Sequence, residues 1–572
     1  MVTVTAHSLS PNPIDRAIFG GNILSSRDDL DEGNSFAPVA EQLGITAFRY
    51  PGGSLTEDYF EISNPDKSQA PNVSGSGDVD LIPFSQYMEF IASNNYSTTI
   101  VIPTRNFLGE STDEYGNRFA SINESELRGF IVDTLDGRYG LAKIDGFEIG
   151  NEYWASGEMN SIEYGRVSAK VSKILDEELS NHERFEELYE ETKILIQMGA
   201  DNAFADFSQR YSEFGSGRDQ LAQFNQDHGL EFSEAYLYGS GEVKWGHIAN
   251  ELIIGELLEE DSLSSIDGLI AHVYSRGADM PQSRYFSLRT IEQTWGEHLS
   301  EVEVSVTEWN QSAATQALEH HNNFGLAQAH EMLNIVEGFT EFNVAAAHVW
   351  PLQQNTANDL SGDVGQTELT VPGVMFSLMS SSLPGTTPVN LNVDQRSFEH
   401  EYRSDEFDIH SFYAQDKMIF FVTANDLDGF EAKINFSTIF SDEEDISIRI
   451  LTVEEGDNPG STSSAPDLIE LDSTLIFEDQ ALDIELEGLE IMMIEVSEPQ
   501  YTSSFLGLIG EEIDNGEDEE PILPEVPPVE DNTDGEDNSD GESGSEELDF
   551  ALGLPIEIAG FLAIGLALAA AF

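Results

Sequence analysis

The chain contains no cysteine among its 572 residues. This absence excludes disulfides, zinc–thiolate sites, iron–sulfur clusters and cysteine nucleophiles. Basic residues are also scarce, with 25 Lys and Arg against 107 Asp and Glu, which gives a formal net charge of −82. A surface this negative repels phosphate backbones and anionic lipid headgroups. We therefore expect no nucleic-acid partner.

The composition nevertheless indicates a folded protein. Hydrophobic residues make up 40% of the chain and aromatic residues 10%, which is enough for a large packed core. The length predicts two or three domains. The first ten residues lack the basic region and the apolar run of a signal peptide. Instead, Val2 and Val4 alternate with Thr3 and Thr5, which is typical of a β-strand.

The C-terminal end differs from the rest of the chain. Residues 511–550 carry 18 acidic residues and no Lys or Arg, so we predict a disordered acidic linker over 501–550. Residues 551–572 contain one charged residue, Glu557, and have about the length needed to cross a bilayer. We expect a membrane anchor or sorting tail there, with a buried helix as the alternative. The protein is then extracellular or on the cell surface, although its acidity also fits a salt-adapted cytoplasm.

Eight β-rich segments alternate with amphipathic helical segments between residues 11 and 384. This alternation predicts an α/β fold, a (β/α)₈ TIM barrel. Residues 199–265 are too long for one crossover helix and predict an inserted loop or hairpin around Phe214–Trp245. The predicted strands are Ala17–Asn22, Ala47–Tyr50, Thr98–Pro103, Gly146–Gly150, Ile194–Met198, Gly268–Val273, Glu303–Thr307 and Val344–Trp350.

Residues 385–500 show β-rich blocks separated by turn residues, with no long helical period. This pattern predicts an antiparallel β-sandwich, which the strand in residues 1–10 joins.

Two glutamates follow barrel strands at the face where such barrels keep their active sites. The fourth strand ends in F-E-I-G-N-E, which carries Asn151 and Glu152, and the seventh ends in V-S-V-T-E-W-N, which carries Glu308. Glycoside hydrolysis needs such a pair, one carboxyl group to protonate the leaving oxygen and one carboxylate at the anomeric carbon. A solvated or surface-paired glutamate is the alternative for either residue alone.

The G-N-E and T-E-W-N motifs resemble the clan A retaining glycoside hydrolases. The resemblance implies that Glu152 is the acid/base, that Asn151 binds the sugar 2-hydroxyl and that Glu308 is the nucleophile. It further implies a separation of roughly 5–5.5 Å between the two carboxylates.

Further motifs are similar to the α-L-arabinofuranosidase, heparanase-like and β-xylosidase families. F-R-Y-P-G-G-S places Arg49 beneath Glu308, where a guanidinium lowers a carboxylate pKa. I-A-H-V-Y-S carries His272 and Tyr274, with the Tyr hydroxyl orienting the nucleophile. H-V-W-P-L carries Trp350, an aromatic floor for a sugar ring. The alternatives are an ordinary turn at Pro51-Gly52-Gly53 with Arg49 on the surface, and core roles for the histidine and the tryptophan.

The sequence therefore predicts a retaining glycosidase that acts on a poly- or oligosaccharide. A non-catalytic carbohydrate-binding surface protein and a transglycosylase are the alternatives. No phosphate-binding loop appears, and the acidic repeat at 531–542 lacks the helices of a calcium-binding loop. We expect no cofactor and no metal. The sugar, the linkage and the oligomeric state are left open.

Overall fold

A computed structural model describes residues 1–510, except 279, 300–302, 315–322, 354–355, 393–397 and 444. Most of the predicted linker, 511–550, and the whole apolar segment 551–572 lie outside the described residues. Within the described residues, no helix combines the length and apolarity needed to span a bilayer.

Eight parallel strands close into a barrel in chain order, which confirms the predicted fold class. The first strand is shorter than predicted, because the Asp15 side chain caps a 3₁₀ turn over Arg16–Phe19 and the strand begins only at Gly20. The strands are β1 Gly20–Asn22, β2 Ala47–Tyr50, β3 Ser97–Ile102, β4 Lys143–Ile149, β5 Lys193–Gln197, β6 Gly268–Ser275, β7 Glu303–Gln311 and β8 Val344–Val349.

Helices surround the barrel. The long helix α5 starts with a capping box, in which Asn160 and Glu163 satisfy each other's backbone N–H groups. Its residues Tyr164, Val167 and Val171 recur at helical spacing and are fully buried. The helices are α1 Phe36–Leu43, α2 Leu55–Tyr59, α3 Phe84–Ser93, α4 Glu124–Leu135, α5 Ser161–Ser180, α6 Phe207–Tyr211, α7 Gly217–His228, α8 Trp245–Glu259, α9 Phe286–Trp295, α10 Leu326–Phe339, α11 Val371–Ser382 and α12 Ser503–Ile509.

The insertion after β5 is helical rather than a hairpin. Helices α6 and α7 fill most of it, and its one bridge joins Leu237 to Val243 ahead of α8. The rings of Phe207, Phe224 and Trp245 pack together in a small core separate from that of the barrel. Sequence spacing predicted the position of the insertion, but it did not predict the helices or their aromatic core.

The C-terminal region is built of two main sheets. The strands are β9 Thr387–Asn390, β10 Tyr402–Arg403, β11 Phe407–Tyr413, β12 Lys417–Ala424, β13 Phe430–Asn435, β14 Phe440–Asp442, β15 Asp445–Val453, β16 Pro466–Leu471, β17 Phe477–Glu478, β18 Ala481–Leu486, β19 Ile491–Ser497 and β20 Gln500–Tyr501. The larger sheet has the order Ser8–Leu9, β9, β11, β12, β19, β15 and β16, with β10 on β11, and the smaller has the order Val2–Thr3, β13, β18 and β17. Neighbouring strands run antiparallel, except that Val2–Thr3 pairs in parallel with β13.

The central strands of the larger sheet are buried on both faces, whereas its edge strand β16 is largely exposed. Along β12, Phe420 and Val422 belong to the core between the two sheets, whereas Ile419 and Phe421 belong to the core shared with the barrel. Successive side chains of a strand point to opposite faces, so this one strand joins the two cores.

Residues 500–509 are ordered, although 501–510 falls in the predicted linker. Strand β20, which pairs with β14, and helix α12 follow the last long strand, and the rings of Tyr501 and Phe505 stack 5.1 Å apart. The folded region thus extends about one short helix beyond the predicted boundary.

The insertion core gives a stability prediction. Phe224→Ala removes a fully buried ring whose centroid lies 5.1 Å from that of Phe207 and 5.4 Å from that of Trp245. We expect the free energy of unfolding to fall by about 3 kcal/mol, measured by urea denaturation. Leu258→Ala, on the exposed side of α8, is the control and is expected to change it by about 0.5 kcal/mol or less. Equal losses in the two variants would contradict a packed insertion core.

Candidate active site

The predicted site residues meet at the carboxyl ends of the barrel strands. Asn151 and Glu152 follow β4 directly, and Glu308 lies within β7, paired in register with His272 of β6. Parallel strands in a closed barrel bring their carboxyl ends to one face, so residues far apart in sequence become neighbours there.

Glu308 is held by hydrogen bonds to both of its carboxylate oxygens. Arg49 Nη1 donates to Oε1 at 2.8 Å, and the Tyr274 hydroxyl donates to Oε2 at 2.8 Å. The side chain is 7% exposed. One carboxylate is therefore fixed in orientation at the bottom of the site.

Arg49 organises the floor of the site. It is fully buried, and its Nε and Nη2 groups donate at 2.7 Å to the two oxygens of Glu148. Nη2 also donates to Asn151 Oδ1 at 2.7 Å, and Nη1 to Asn22 Oδ1 at 3.1 Å. Together with the hydrogen bond to Glu308, these contacts use all five N–H groups of the guanidinium.

The groups around Glu308 determine whether its carboxyl group is ionised. Burial alone would raise its pKa, but His272, the Arg49 guanidinium and the Tyr274 hydrogen bond together hold the pKa of Glu308 below its ordinary value. Burial and the adjacent Glu308 charge raise the pKa of Tyr274 far above its ordinary value, so it stays a hydrogen-bond donor. Glu308 is therefore ionised at neutral pH and is available as a nucleophile.

Glu152 occupies a different environment. Its side chain is 30% exposed, and its backbone has a φ of +41°, which is unusual for a residue with a side chain. His272 Nδ1 lies 3.3 Å from Glu152 Oε1 and 3.7 Å from Glu308 Oε2. The sum of these two distances, 7.0 Å, is an upper limit on the separation of the two oxygens.

His272 thus bridges the two carboxyl groups. Burial would lower its pKa, but the charges of Glu308 and Glu152 and the hydrogen bond to Glu152 outweigh burial and raise the pKa of His272. A protonated imidazole at this place therefore reduces the repulsion between the two carboxylates that it contacts.

Aromatic side chains border the site. Trp350 directly follows β8 and is half-buried, and a Cβ on Gly53 would come within 2.7 Å of its indole ring. Gly52 has a φ of +94°, and a Cβ there would overlap the Ile23 carbonyl oxygen. The Pro-Gly-Gly turn after β2 is thus shaped by close backbone and ring contacts. The ring of Trp154 lies edge-on to that of His272 at 6.2 Å.

Sequence reasoning missed four polar residues that support the site. Glu148 binds Arg49 and accepts from Gln197 Nε2 at 2.6 Å. Glu57, after β2, accepts hydrogen bonds from the backbone N–H groups of Thr104, Arg105 and Asn151 and so ties together the loops after β3 and β4. Gln197 is the third of these residues, and Asn22, the fourth, accepts a hydrogen bond from Arg49. Glu148 gave a usable signal, because a charged residue inside an otherwise apolar strand needs a buried partner.

Comparison with solved structures gives many chains of the same architecture. The arabinofuranosidase of family GH51 from Xanthomonas axonopodis pv. citri superposes with a TM-score of 0.55 at 13% identity, over 86% of this chain and 99% of that one. The α-L-arabinofuranosidase from Thermotoga maritima gives the same values. A Paenibacillus polymyxa xyloglucanase of family GH44 gives 0.51 at 11% identity, over 87% and 100%.

This chain shares its fold with these glycoside hydrolases. No protein-family model and no curated protein sequence matches this chain. At such low identity the likeness concerns the fold alone, so function must be argued from the site.

Replacement of Arg49 tests whether the floor is held by one guanidinium. Arg49→Lys offers a single ammonium group where Glu148, Glu308 and Asn151 are now bound. We expect the free energy of unfolding to fall by about 3–5 kcal/mol in urea, because buried carboxylates lose their partner. Arg218→Lys, in an exposed pair with Glu234, is the control, with an expected loss of about 1 kcal/mol at most. A comparable loss in both variants would contradict this account.

Proposed function

We propose that this protein is a retaining glycoside hydrolase that cleaves a poly- or oligosaccharide through a covalent glycosyl-enzyme. The observation that carries the proposal is the contrast between two neighbouring carboxyl groups. Glu308 is buried and bound by Arg49 and Tyr274, whereas Glu152 is partly open to solvent.

Each environment suits one role. Glu308, fixed and ionised, attacks the anomeric carbon while Glu152 protonates the leaving oxygen, and a glycosyl–Glu308 ester forms. Glu152 then takes a proton from water, the water oxygen attacks the anomeric carbon, and the ester bond breaks with return of the Glu308 carboxylate. Asn151, held by Arg49 beside Glu308, is proposed to bind the sugar 2-hydroxyl.

The spacing of the two carboxyl groups is compatible with retention of configuration. Retaining enzymes have carboxylates about 5–5.5 Å apart, whereas inverting enzymes need roughly 6.5–9.5 Å to admit water. The upper limit of 7.0 Å on the distance between Glu152 Oε1 and Glu308 Oε2 admits the retaining spacing and overlaps only the short end of the inverting range.

The arrangement favours an enzyme over a binding protein. Burying Glu308 in contact with Arg49 is costly, and recognition of a neutral sugar does not require an ionised carboxylate. A transglycosylase would share every step up to the glycosyl-enzyme and differ only in its acceptor. The proposal extends to an extracellular or cell-surface location with attachment through residues 551–572, which cell fractionation with and without that segment tests.

Hydrolysis of a glycoside panel tests the function. The panel includes aryl arabinofuranosides, xylosides, glucuronides, galactosides and glucosides, together with plant and algal polysaccharides, at moderate salt. We expect one sugar class to be hydrolysed, with Glu308→Ala lowering kcat/KM by ~10⁴-fold or more. Glu152→Ala should lower it by about 10²–10⁴-fold, and less for aryl leaving groups that need no proton.

The matched control is Glu158→Ala, six residues beyond Glu152 on the same loop and exposed. It should retain activity. NMR of the first product should show the anomeric configuration of the substrate. Inverted product would overturn the retaining mechanism, and binding of a polysaccharide without any hydrolysis would favour the binding-protein alternative.

The Tyr274 contact gives a pH prediction. The Tyr274 hydrogen bond favours ionised Glu308, so Tyr274→Phe should raise the pKa of Glu308 toward its ordinary value. The acid limb of the kcat/KM profile should therefore move to higher pH, and kcat should fall about 10–100-fold. Tyr238→Phe, on the exposed insertion, should leave both unchanged. An unmoved acid limb would exclude Glu308 as the group that must be ionised.

A further inference from the structure

A second cluster of buried ionisable groups lies between the barrel and the larger sheet. Glu337 comes from barrel helix α10, His410 from strand β11 and Glu401 from the residue before β10. His410 Nδ1 and Glu337 Oε2 are 2.8 Å apart. A barrel helix and two neighbouring segments of the C-terminal region thus place their polar ends together where the two domains meet.

The three side chains can present their ligand atoms to a common point. One oxygen of Glu337, one oxygen of Glu401 and one ring nitrogen of His410 all lie within 4.8 Å of one another. The residues are 2%, 1% and 0% exposed, respectively. Three ligand atoms at this spacing can hold one ion at a place shielded from bulk solvent, and they fill three of the four positions of a tetrahedral zinc site.

Two oxygen atoms of the cluster lack a hydrogen-bond donor. Within the described part of the chain, neither Glu337 Oε1 nor Glu401 Oε2 accepts a hydrogen bond, although both are shielded from solvent. A buried carboxylate oxygen with no donor is costly, so each such atom requires a partner to explain it. Both oxygen atoms belong to glutamates of the Glu337, Glu401 and His410 cluster.

In the part of the interface that the structure describes, carboxyl groups outnumber positively charged groups. Among the described residues, six carboxyl groups lie in this interface with two guanidinium groups and three imidazoles. They are Glu331, Glu337, Glu341, Glu399, Glu401 and Asp408, with Arg284, Arg403, His330, His400 and His410. The formal charge of this set is −4 with neutral imidazoles. It is −2 with His400 and His410 protonated, the form that their carboxylate neighbours favour against burial by raising the pKa of both. The set is negative in either state, which suits a cation.

We propose that Glu337, Glu401 and His410 bind a divalent transition-metal ion, Zn²⁺ in the first instance, that fastens the larger sheet to barrel helix α10. A nitrogen ligand beside two carboxylates suits Zn²⁺, whereas Ca²⁺ needs six to eight oxygen ligands. Binding requires an unprotonated imidazole nitrogen, so a proton shared by His410 and Glu337 would leave as the metal enters. The ion has a structural role and is separate from the chemistry of Glu152 and Glu308.

A proton offers the competing explanation. The carboxyl groups of Glu399 and Glu401 interact, and a proton held between them would relieve the same excess of negative charge. The two explanations differ in one respect, namely whether the folded protein retains a metal ion.

Metal stoichiometry decides between them. The full-length protein is incubated with Zn²⁺, desalted in molar NaCl to remove ions held by its acidic surface, and analysed by mass spectrometry of the metal. We expect one Zn²⁺ per chain. Glu337→Gln and His410→Gln should each lose it, whereas Glu341→Gln, one turn further along the chain, should retain it. No retained metal in the parent protein would overturn the proposal.

A second measurement does not depend on whether the variants fold. The parent protein loaded with Co²⁺ should show the visible absorption of a nitrogen- and oxygen-ligated ion, and Zn²⁺ should abolish it by competition. Zn²⁺ should also raise the Tm of the parent by about 5 °C or more relative to protein treated with EDTA. Equal Tm values under both conditions would contradict a fastening role, and neither readout requires glycosidase activity.

Discussion

The buried guanidinium of Arg49 is the interaction on which the site depends. It binds Glu148 of β4, Glu308 of β7 and Asn151 of the loop after β4, while it extends from β2. An unpaired guanidinium or carboxylate in this position would be strongly destabilising, so these groups are tolerated only together. The network therefore imposes a relative position on strands that sequence separates by up to 259 residues.

The relative position of these strands gives the two carboxyl groups of the site different surroundings. Glu308 receives positive charge and hydrogen bonds on every oxygen, while Glu152 is left with one imidazole contact and partial access to solvent. Two side chains of the same type thus acquire different environments. The difference comes from the strand ends that deliver them, with Glu308 inside β7 and Glu152 on a strained residue just past β4.

Sequence patterns predicted the barrel well, because buried parallel strands are short apolar runs bounded by polar loops. Strand β2 was predicted to the residue, and β1 was overextended because apolar residues 17–19 form a capped turn. The positions of Asn151, Glu152 and Glu308 at the carboxyl ends of barrel strands were predictable, because these residues follow or end apolar runs. Glu57 and Gln197 were not, since each acts by binding a neighbouring strand or loop, and one-dimensional spacing carries no information on that contact.

Because basic residues are scarce in this chain, its buried arginines have a large effect on the structure. With more than four acidic residues for each basic one, a carboxylate has few partners to choose from. Two arginines, Arg49 and Arg284, are buried all the same, and each binds more than one carboxylate. Arg49 joins the barrel strands, and Arg284 joins the barrel to Glu399, between β9 and β10 of the larger sheet. Since a buried carboxylate without a cation is strongly destabilising, Arg49 constrains how the barrel strands fit together, and Arg284, with Arg403 also bound to Glu399, constrains how the barrel meets the larger sheet.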